Sequence, residues 1–309
     1  MAYKCVVCIK QVPDTKRITG QAMNEDGTVN RAALPAIFNP EDLNALEAAL
    51  QIRDKHGGHV TVITMGAPSA YAQLRDALFR GADEVLLLTD RRFAVADTLA
   101  TSYALAETIQ KRCGGYDLVF CGRQAIDGDT AQVGPQTAQK LGIPQITFVQ
   151  EIQELGSGRI RAKRMIEGGY EVVEAPLPVL LTVTSECAEP RPPRAKLLLQ
   201  YKSATGVSEI AMRLRRAAET RGETADPAAL QAQAEKEAKK LEERRLRLTE
   251  WNVDDLGADP ARCGKRGSPT KVKKIEAVVL KTGDLRMIEA TEEGLRGLVR
   301  ELADKHILD

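Results

Sequence analysis

The chain has 309 residues, and its 44 lysine and arginine residues nearly balance 43 aspartate and glutamate residues, giving a formal net charge of +1. This balance gives no global positive field of the kind that attracts nucleic acid or a membrane surface, and an aromatic content of 4% argues against a base-stacking surface. The length exceeds one typical domain, so we expect one sizeable α/β domain with additional segments.

The N-terminal segment, MAYKCVVCIKQVPDTKR, carries an apolar run that is too short for a secretory signal or a membrane span. We therefore expect a cytoplasmic protein without a transmembrane segment. Cys5 and Cys8 form a CxxC motif inside the first predicted strand, where alternation directs them to opposite faces of the sheet. We interpret both as small buried residues in preference to a metal or redox site.

Strand and helix patterns alternate over the first half of the chain. Strand-like runs occur at 4–9, 59–65, 84–88, 117–121 and 145–151, and helical patterns at 40–55, 69–80, 97–111 and 130–141. This alternation with short connections predicts a parallel, doubly wound sheet. The helix at 40–55 has Asn39 as its predicted cap, Pro40 at the first helical position and two acids in the first turn.

The junction between the strand at 117–121 and the helix at 130–141 contains Gly122 and Gly128 in the sequence CGRQAIDGDTAQVG. The carboxyl ends of parallel strands and the free N–H groups of helix N-termini are where α/β proteins bind phosphate-bearing ligands. The junction therefore indicates a nucleotide site, although an ordinary glycine-rich βα turn explains the same spacing equally well.

From 152 to 184 the pattern changes to short alternating strands, GRIRAKRMIEGG, YEVVEAP and PVLLTVTS. These runs predict antiparallel hairpins at the edge of the sheet, with Gly168 and Gly169 in the turn. The segment EPRPPR, residues 189–194, then ends the regular structure.

The stretch that follows, up to residue 250, is polar and ends in a helical pattern with charges of both signs. Leu230, Ala234, Leu241 and Leu248 give it only a thin apolar stripe. The pattern predicts an exposed helix, which is either a solvated spacer or a helix whose stripe is covered by a partner.

The tail after Trp251 contains the junction CGKRGSPTKVKK, the strand-like run EAVVLK and an amphipathic helical pattern at 291–305. A segment of fewer than about 60 residues buries little core alone, so we expect an arm packed on another subunit. Lys271, Lys273 and Lys274 suit either a phosphate-contacting loop or a solvated face, and we favour the solvated face.

Four motifs in combination resemble the β subunit of electron transfer flavoproteins: VVCIKQVPD, NPEDLNALEAAL, DLVFCGRQAIDGDTAQVGPQ and WNVDDLGADPARCGKRGSPTKV. The resemblance covers nearly the whole chain except about 205–248. It implies an α/β fold with a doubly wound parallel sheet of the adenine-nucleotide-hydrolase-like type, antiparallel edge strands, a helical insertion and a C-terminal arm. The implied parts are a nucleotide-binding or FAD-binding domain at 1–194, an extended recognition-loop region with a charged helical insertion at 195–250, and an arm at 251–309 that packs on the α subunit.

The resemblance also implies a nucleotide pocket at the strand ends. Its members are Cys8, Asn39, Pro40, Glu41, Asp42, Met65, Gly122, Arg123, Gln124, Ala125, Ile126, Asp127, Gly128, Asp129, Thr130, Ala131, Gln132 and Val133. We expect main-chain N–H groups from 130 to 134 to hold the phosphate. Asp127 and Asp129 are awkward beside a phosphate, so we expect them to cap the helix, orient the backbone or bind ribose hydroxyls.

Residues 90–106, DRRFAVADTLATSYALA, resemble the electron-bifurcating or FixA-like branch of that family, which binds a second FAD where conventional members bind AMP. In this interpretation Ala96, Thr98, Thr101 and Ser102 offer space and hydroxyl donors to the flavin, and Asp97 is also assigned to the cofactor-binding residues. The alternative is an ordinary helix cap with small packing residues and a structural AMP. Val95 stands where the family usually has glycine.

The resemblance implies a heterodimer with an FAD-carrying α subunit, and electron transfer without a catalytic acid/base residue. In the bifurcating branch the FAD of the β subunit accepts hydride from NADH. One electron passes to ferredoxin or flavodoxin, and the other passes through the α-subunit FAD to an acyl-CoA dehydrogenase or a quinone reductase.

A competing interpretation from another class is an ATP-hydrolysing or nucleotide-sensing domain. Such a domain requires a phosphate loop such as SGGxDS near the first strand, where this chain has KQVPDTK. We expect neither a metal site nor a nucleic-acid partner.

Overall fold

The structure is a computed structural model that describes residues 2–14, 34–222, 226–270 and 287–304. The strands are β1 (Tyr3–Cys8), β2 (Gln11–Pro13), β3 (Ala36–Phe38), β4 (Gly58–Met65), β5 (Glu84–Leu88), β6 (Leu118–Gly122), β7 (Gln145–Gly156), β8 (Arg159–Ile166), β9 (Gly169–Pro176), β10 (Val179–Val183) and β11 (Thr249–Trp251). The helices are α1 (Pro40–His56), α2 (Tyr71–Arg80), α3 (Thr98–Arg112), α4 (Val133–Leu141), α5 (Ala195–Tyr201), α6 (Val207–Thr220), α7 (Pro227–Glu243), α8 (Val253–Leu256) and α9 (Glu292–Asp304).

Within the described residues, nine strands form one sheet in the order β11-β5-β4-β1-β6-β10-β7-β8-β9. Each pairing from β11 to β7 is parallel, whereas β8 pairs antiparallel with both β7 and β9. The short strands β2 and β3 form a separate antiparallel pair just before α1. The predicted parallel, doubly wound sheet with antiparallel edge strands is therefore confirmed.

Helices cover both faces of this sheet and create two hydrophobic layers. Leu50 of α1 and Leu74 of α2 belong to one layer, and Tyr103 of α3 belongs to the other. Because successive residues of a strand point to opposite faces, Cys5 lies in the first layer and Cys8 in the second. The predicted alternation at the CxxC motif is confirmed.

One strand of the predicted edge hairpins lies elsewhere. β10 lies between β6 and β7, runs parallel to both, and is buried along its whole length. The prediction that PVLLTVTS belongs to an antiparallel edge hairpin is wrong, because a continuous apolar run such as VLLTV is typical of a central parallel strand that is covered on both faces. β8 and β9 do form an edge hairpin, and the left-handed residue of its turn is Gly168, with φ 73°.

The charged insertion folds as a pair of helices, α6 and α7. Ala234 and Ala238 of α7 pack against Val207 and Ile210 of α6 in a small core of their own. Leu241 connects this small core with the main hydrophobic layer. The thin apolar stripe of α7 is therefore covered by α6 of the same chain. This arrangement differs from both predicted alternatives, a solvated spacer and a helix covered by a partner protein.

Partly buried polar contacts attach the insertion to the sheet domain. The hydroxyl of Tyr71 on α2 donates to Glu250 Oε2 at 2.7 Å, and Ser208 Oγ of α6 donates to the same oxygen at 2.6 Å. Arg75 of α2 also forms an ion pair with Glu209 of α6, at 2.6 Å. The helix pair is thus held in a defined position on the domain.

The chain then returns to the main sheet. β11 pairs with β5, and Val253, Leu256 and Cys263 are buried in the layer that contains α3. The arm expected from residue 251 therefore begins with residues that pack on the sheet of this chain, and packing on another subunit stays a prediction. The expected helix at 291–305 is α9, whereas the EAVVLK run and Lys271, Lys273 and Lys274 lie outside the described residues. Within the described ranges no helix is long and apolar enough to cross a bilayer.

Candidate functional site

The carboxyl ends of three central strands meet at one edge of the sheet. Cys8 ends β1, Met65 ends β4 and Gly122 ends β6, and β1 lies between the other two strands. The loop from β6 to α4 starts at this edge, and so does α1. The fold thus brings together the predicted pocket residues from four separate segments of the chain.

Asn39 connects the start of α1 with the loop after β6. Its side chain is fully buried, with Nδ2 donating to the main-chain oxygen of Gln124 at 2.9 Å and Oδ1 accepting from the N–H of Ile126 at 3.1 Å. Asn39 occupies the N-cap position, but its side chain makes no hydrogen bond to the N–H groups of α1. The amide therefore positions the loop, and the predicted side-chain cap is absent.

Glu41 holds the same loop from the first turn of α1. Its Oε2 accepts from the N–H of Gln124 at 3.1 Å, and its Oε1 lies 3.0 Å from Arg123 Nη2. Both contacts are partly buried, and Arg123 also lies over the ring of Phe148 at 5.9 Å. The carboxylate of Glu41 is therefore occupied by this chain, and its contribution to a ligand site is to fix the backbone.

Asp42 ties together the ends of two strands. Its Oδ2 accepts from the N–H of Lys10, just beyond β1, at 2.8 Å, and its Oδ1 accepts from the N–H of Gly122 at 3.1 Å. Burial raises the pKa of Asp42 to about 7, while hydrogen bonds from Asn39 and the two main-chain donors oppose the rise. The carboxyl group at the centre of the site therefore titrates near neutral pH.

This pKa gives stability a pH dependence of known sign. The folded chain keeps the proton of Asp42 up to about pH 7, whereas an ordinary aspartate loses it near 3.8. Between these values the folded state binds more protons, so stability falls as the pH rises. Asp42→Asn removes the titrating group and serves as the reference. Between about pH 5 and about pH 8, the free energy of unfolding of the unmodified chain should fall by about 2 kcal/mol more than that of Asp42→Asn, as measured by urea unfolding. A constant difference would contradict the raised pKa.

The two loop aspartates have partners within the chain. Lys10 Nζ donates to both carboxylate oxygens of Asp127, at 2.7 and 2.8 Å, and Gln124 Nε2 donates to Asp129 Oδ1. Lys10 neutralises the charge of Asp127, which lowers the cost of placing a phosphate nearby. Sequence reasoning missed Lys10, and the available signal was a cation directly after the first strand.

The loop supplies a row of free main-chain donors before α4. Asp129 has φ 55° and Ala131 has φ 53°, so the backbone turns through left-handed conformations and α4 begins at Val133 instead of the predicted Thr130. Among the described residues, none accepts a hydrogen bond from the N–H groups of residues 130–134, and α4 lacks a side-chain cap. These donors fit the predicted phosphate group.

The start of α3 lies beside this loop. Thr98 Oγ1 donates to Gln132 Oε1 at 3.0 Å, which joins the predicted flavin-contacting segment to the predicted nucleotide loop. Thr101 is partly exposed, whereas Ser102 is fully buried and its hydroxyl bonds to the main-chain oxygen of Leu99 at 2.9 Å. Ser102 therefore faces the protein interior between α3 and α4.

Residues from the C-terminal region complete the start of α3. Asp97 caps the helix through the N–H of Ala100 at 3.0 Å, as the alternative interpretation expects. The N–H of Asp97 donates to Ser268 Oγ at 2.8 Å, and Thr270 Oγ1 donates to Asp97 Oδ2 at 2.5 Å. Sequence reasoning treats the GSPT segment as a possible phosphate loop and misses this contact, because 173 residues separate Asp97 from Thr270.

Val95 adopts a strained backbone conformation at the rim of this segment. Its φ of 59° is in the left-handed region, where a β-branched residue is a rare outlier, and its side chain is 77% exposed. We expect Val95→Gly to raise the free energy of unfolding by about 1 kcal/mol, because the relieved strain exceeds the entropic cost of glycine. Urea unfolding measures the change. Val299→Gly, at an exposed position of α9, should lower the free energy of unfolding instead. If both substitutions lower it, the backbone of Val95 is not strained.

Comparison with known proteins identifies the family of the chain. The family described as "Electron transfer flavoprotein domain" matches residues 26–208. Electron transfer flavoprotein subunit beta of Clostridium acetobutylicum is 41% identical over 303 residues, covering 98% of this chain and 99% of that protein. Caffeyl-CoA reductase-Etf complex subunit CarD of Acetobacterium woodii is 39% identical over 307 residues, covering 99% and 100%. Protein FixA of Azorhizobium caulinodans is 42% identical over 293 residues, covering 93% and 89%. The chain therefore belongs to the electron transfer flavoprotein β-subunit family, in its FixA-like group.

Proposed function

We propose that this β subunit binds FAD along the strand-end edge and passes electrons from NADH, as part of a heterodimer with an electron transfer flavoprotein α subunit. The observation that carries the proposal is the row of free N–H groups at 130–134 next to the start of α3, with Thr98 hydrogen-bonded to Gln132. A phosphate held by these donors leaves the rest of the ligand beside the hydroxyls of α3. This arrangement suits a ligand longer than AMP.

The residues of the chain bind and orient the ligand. Asn39, Glu41 and Asp42 fix the loop backbone, so the N–H donors of the loop are arranged before the ligand arrives. Lys10 balances Asp127, Thr101 provides a hydroxyl donor near the flavin end, and Thr98 holds Gln132 through its own hydroxyl. When bound, FAD supplies both hydride and single-electron chemistry, and the protein places and tunes it.

Flavin analysis of the purified heterodimer separates FAD from AMP. Two FAD per heterodimer, with no AMP released on denaturation, is the expected result. One FAD together with one AMP would overturn FAD binding by this subunit and leave a conventional carrier. The alternative, a structural AMP, would use the same strand-end loop, because FAD and AMP share the adenosine and its phosphate.

The proposed electron flow is bifurcation from NADH. One electron goes to ferredoxin or flavodoxin and the other, through the FAD of the α subunit, to an acyl-CoA dehydrogenase or a quinone reductase. The name of the relative CarD, which refers to a caffeyl-CoA reductase-Etf complex, supports an acyl-CoA-dependent partner. The test of this flow is to reduce the heterodimer stepwise with NADH and to record its absorbance. We expect ferredoxin to be reduced only when the second acceptor is also present.

We propose that α5 and the helix pair α6 and α7 form the surface that docks the dehydrogenase. Leu198 and Leu199 of α5 are 40% and 67% exposed, and α5 leads directly into the anchored insertion. The ends of the insertion are adjacent, since the N–H of Thr205 donates to the main-chain oxygen of Leu246 at 3.0 Å. A short linker that replaces residues 207–243 can therefore close the chain.

That deletion should slow electron transfer to the dehydrogenase while flavin content and reduction by NADH stay unchanged. Stopped-flow kinetics with the partner measures the effect. Leu199→Ser should act in the same direction without removing any structure. Unchanged partner kinetics in both variants would count against the proposed docking surface.

The proposed contact with the α subunit includes α9. Leu295 and Val299 are 55% and 56% exposed on this helix, at i and i+4 spacing. Leu295→Asp should reduce copurification of the α subunit, whereas Arg296→Asp on the same helix should have a smaller effect. Equal copurification of both variants with the α subunit would contradict the contact.

A further inference from the structure

A cavity lies between α3, α4 and the loop that follows α8. Its volume is about 370 Å³. Its wall includes three cations and three residues that fix the shape of the wall: Lys140, Arg262 and Arg266, and Tyr103, Gly267 and Ser268. Leu99 and Tyr103, which belong to the segment 90–106, also line the cavity, and Ser268 accepts a hydrogen bond from the N–H of Asp97, so the cavity adjoins the predicted flavin-contacting segment.

The cavity concentrates positive charge that the described part of the chain does not neutralise. Lys140, Arg262 and Arg266 form no ion pair with any described residue. Partial burial and the neighbouring Arg262 lower the pKa of Lys140, while Asp97 opposes this change. The carboxylate of Asp97 is already bonded to Ala100 and Thr270, so it is a weak counter-charge for the cavity.

The wall of the cavity is fixed by contacts on its far side. The guanidinium of Arg262 lies 3.9 Å from the ring centre of Tyr103, whose hydroxyl accepts from the N–H of Asp259 at 3.0 Å. Ser268 Oγ donates to the main-chain oxygen of Gly264 at 2.7 Å. A Cβ atom at Gly267 would overlap the main-chain carbon and oxygen of Arg262, so the close approach of these two loop segments needs glycine.

We propose that this cavity binds the phosphate of a nucleotide-sized ligand, at a site separate from the strand-end edge. Arginine recognises phosphate with two parallel hydrogen bonds, and lysine adds a compact charge. The volume lies within the range of small-molecule sites, about 300 to 1,000 Å³. A phosphate would supply the negative charge that no ion pair with a described residue gives these three cations, and the proposal does not depend on which cofactor the strand-end edge holds.

The test uses the purified heterodimer and titrates inorganic phosphate, ADP and NAD⁺, which cannot reduce the flavin, by calorimetry at low ionic strength. The variant carries Lys140→Gln, Arg262→Gln and Arg266→Gln. The matched control removes three cations from the helical insertion, with Arg215→Gln, Arg216→Gln and Lys239→Gln, which are exposed and distant from the cavity. Binding of at least one titrant should weaken by about tenfold or more in the variant and stay unchanged in the control.

The pattern among titrants identifies the source of the phosphate. Equal affinity for phosphate and ADP indicates a site for a phosphate group alone, whereas tighter binding of ADP or NAD⁺ indicates a nucleotide. Flavin content should be the same in all three proteins. Arg266→Gln alone, at an exposed side chain, provides a second variant if the triple variant does not fold.

Failure of all three titrants to bind at this site would overturn the proposal, and so would equal losses in variant and control. If the triple variant no longer copurifies with the α subunit but still binds phosphate, the three cations contact the α subunit. That result would also overturn the proposal.

Discussion

Replacement of Gly122 by alanine should lower the free energy of unfolding by about 3 kcal/mol and remove nucleotide from the purified protein. The added Cβ atom would lie 2.5 Å from Asp42 Oδ1 and 2.8 Å from the main-chain nitrogen of Asp42. It would also lie 2.8 Å from the main-chain carbon of Glu41. Since two of these three atoms belong to the backbone of α1, the strain cannot be relieved by rotating a side chain.

A second effect adds to the expected loss of stability in Gly122→Ala. The N–H of Gly122 donates to Asp42 Oδ1 at 3.1 Å, so any shift of β6 away from α1 lengthens this buried hydrogen bond. The loop after β6 would move with the strand, and its N–H groups at 130–134 would leave their present positions beside α3. Urea unfolding and extraction of bound nucleotide measure the two effects separately.

The same loop offers a matched control at Gly128. A Cβ atom at this position meets nothing within 4 Å, so Gly128→Ala should change stability by less than about 1 kcal/mol and leave the bound nucleotide in place. If Gly122→Ala and Gly128→Ala behave alike, the close approach of β6 and α1 is not what shapes the site.

The position of the site can be predicted from the sequence, because it depends on short-range patterns. Apolar runs at the strands and a proline at the start of α1 fix where the elements begin and end. Carboxyl ends of neighbouring parallel strands then meet by topology alone. The local pattern around Gly122 is therefore sufficient to place this residue at the strand-end edge, whereas Asn39 has the pattern of any helix start and is assigned to the predicted pocket only through the family resemblance.

The roles of individual side chains cannot be predicted in this way. Asn39 at a helix start follows the local rule for a cap, yet its amide bonds to Gln124 and Ile126, which are 85 and 87 residues away. The choice depends on how closely α1 approaches the loop, and only the folded chain defines that distance. The same limit applies to the contacts of Ser268 and Thr270 with Asp97.

The positions of β10 and α7 differ from the sequence-based expectation for a common physical reason. A short apolar run after two alternating strands resembles a third hairpin strand, although the uninterrupted apolar character of β10 is that of a central strand. On α7 the small residues Ala234 and Ala238 bury little area, so their contribution to packing is easily underestimated. In both cases the neighbour that covers the apolar surface decides the outcome, and the neighbour is distant in sequence.

Asp42→Ala tests whether the buried carboxyl group organises the site. The substitution should lower the free energy of unfolding by about 3 kcal/mol, because it leaves the N–H groups of Lys10 and Gly122 buried without acceptors. Asp76→Ala is the matched control: this aspartate forms a partly exposed i,i+4 ion pair with Arg80 at 3.0 Å, and its loss should cost less than about 1 kcal/mol.

Asp42→Asn distinguishes a requirement for two acceptors from a requirement for volume. Asparagine keeps the shape but offers one acceptor oxygen, and its NH₂ group would face one of the two main-chain donors. The variant should therefore lie between the unmodified chain and Asp42→Ala in stability. Amide hydrogen exchange in residues 122–126 should accelerate in the same order, because the carboxyl group links this loop to β1 and α1. Unchanged exchange in Asp42→Ala would mean that Asn39 and Glu41 hold the loop without Asp42, and would contradict a role of Asp42 in organising the site.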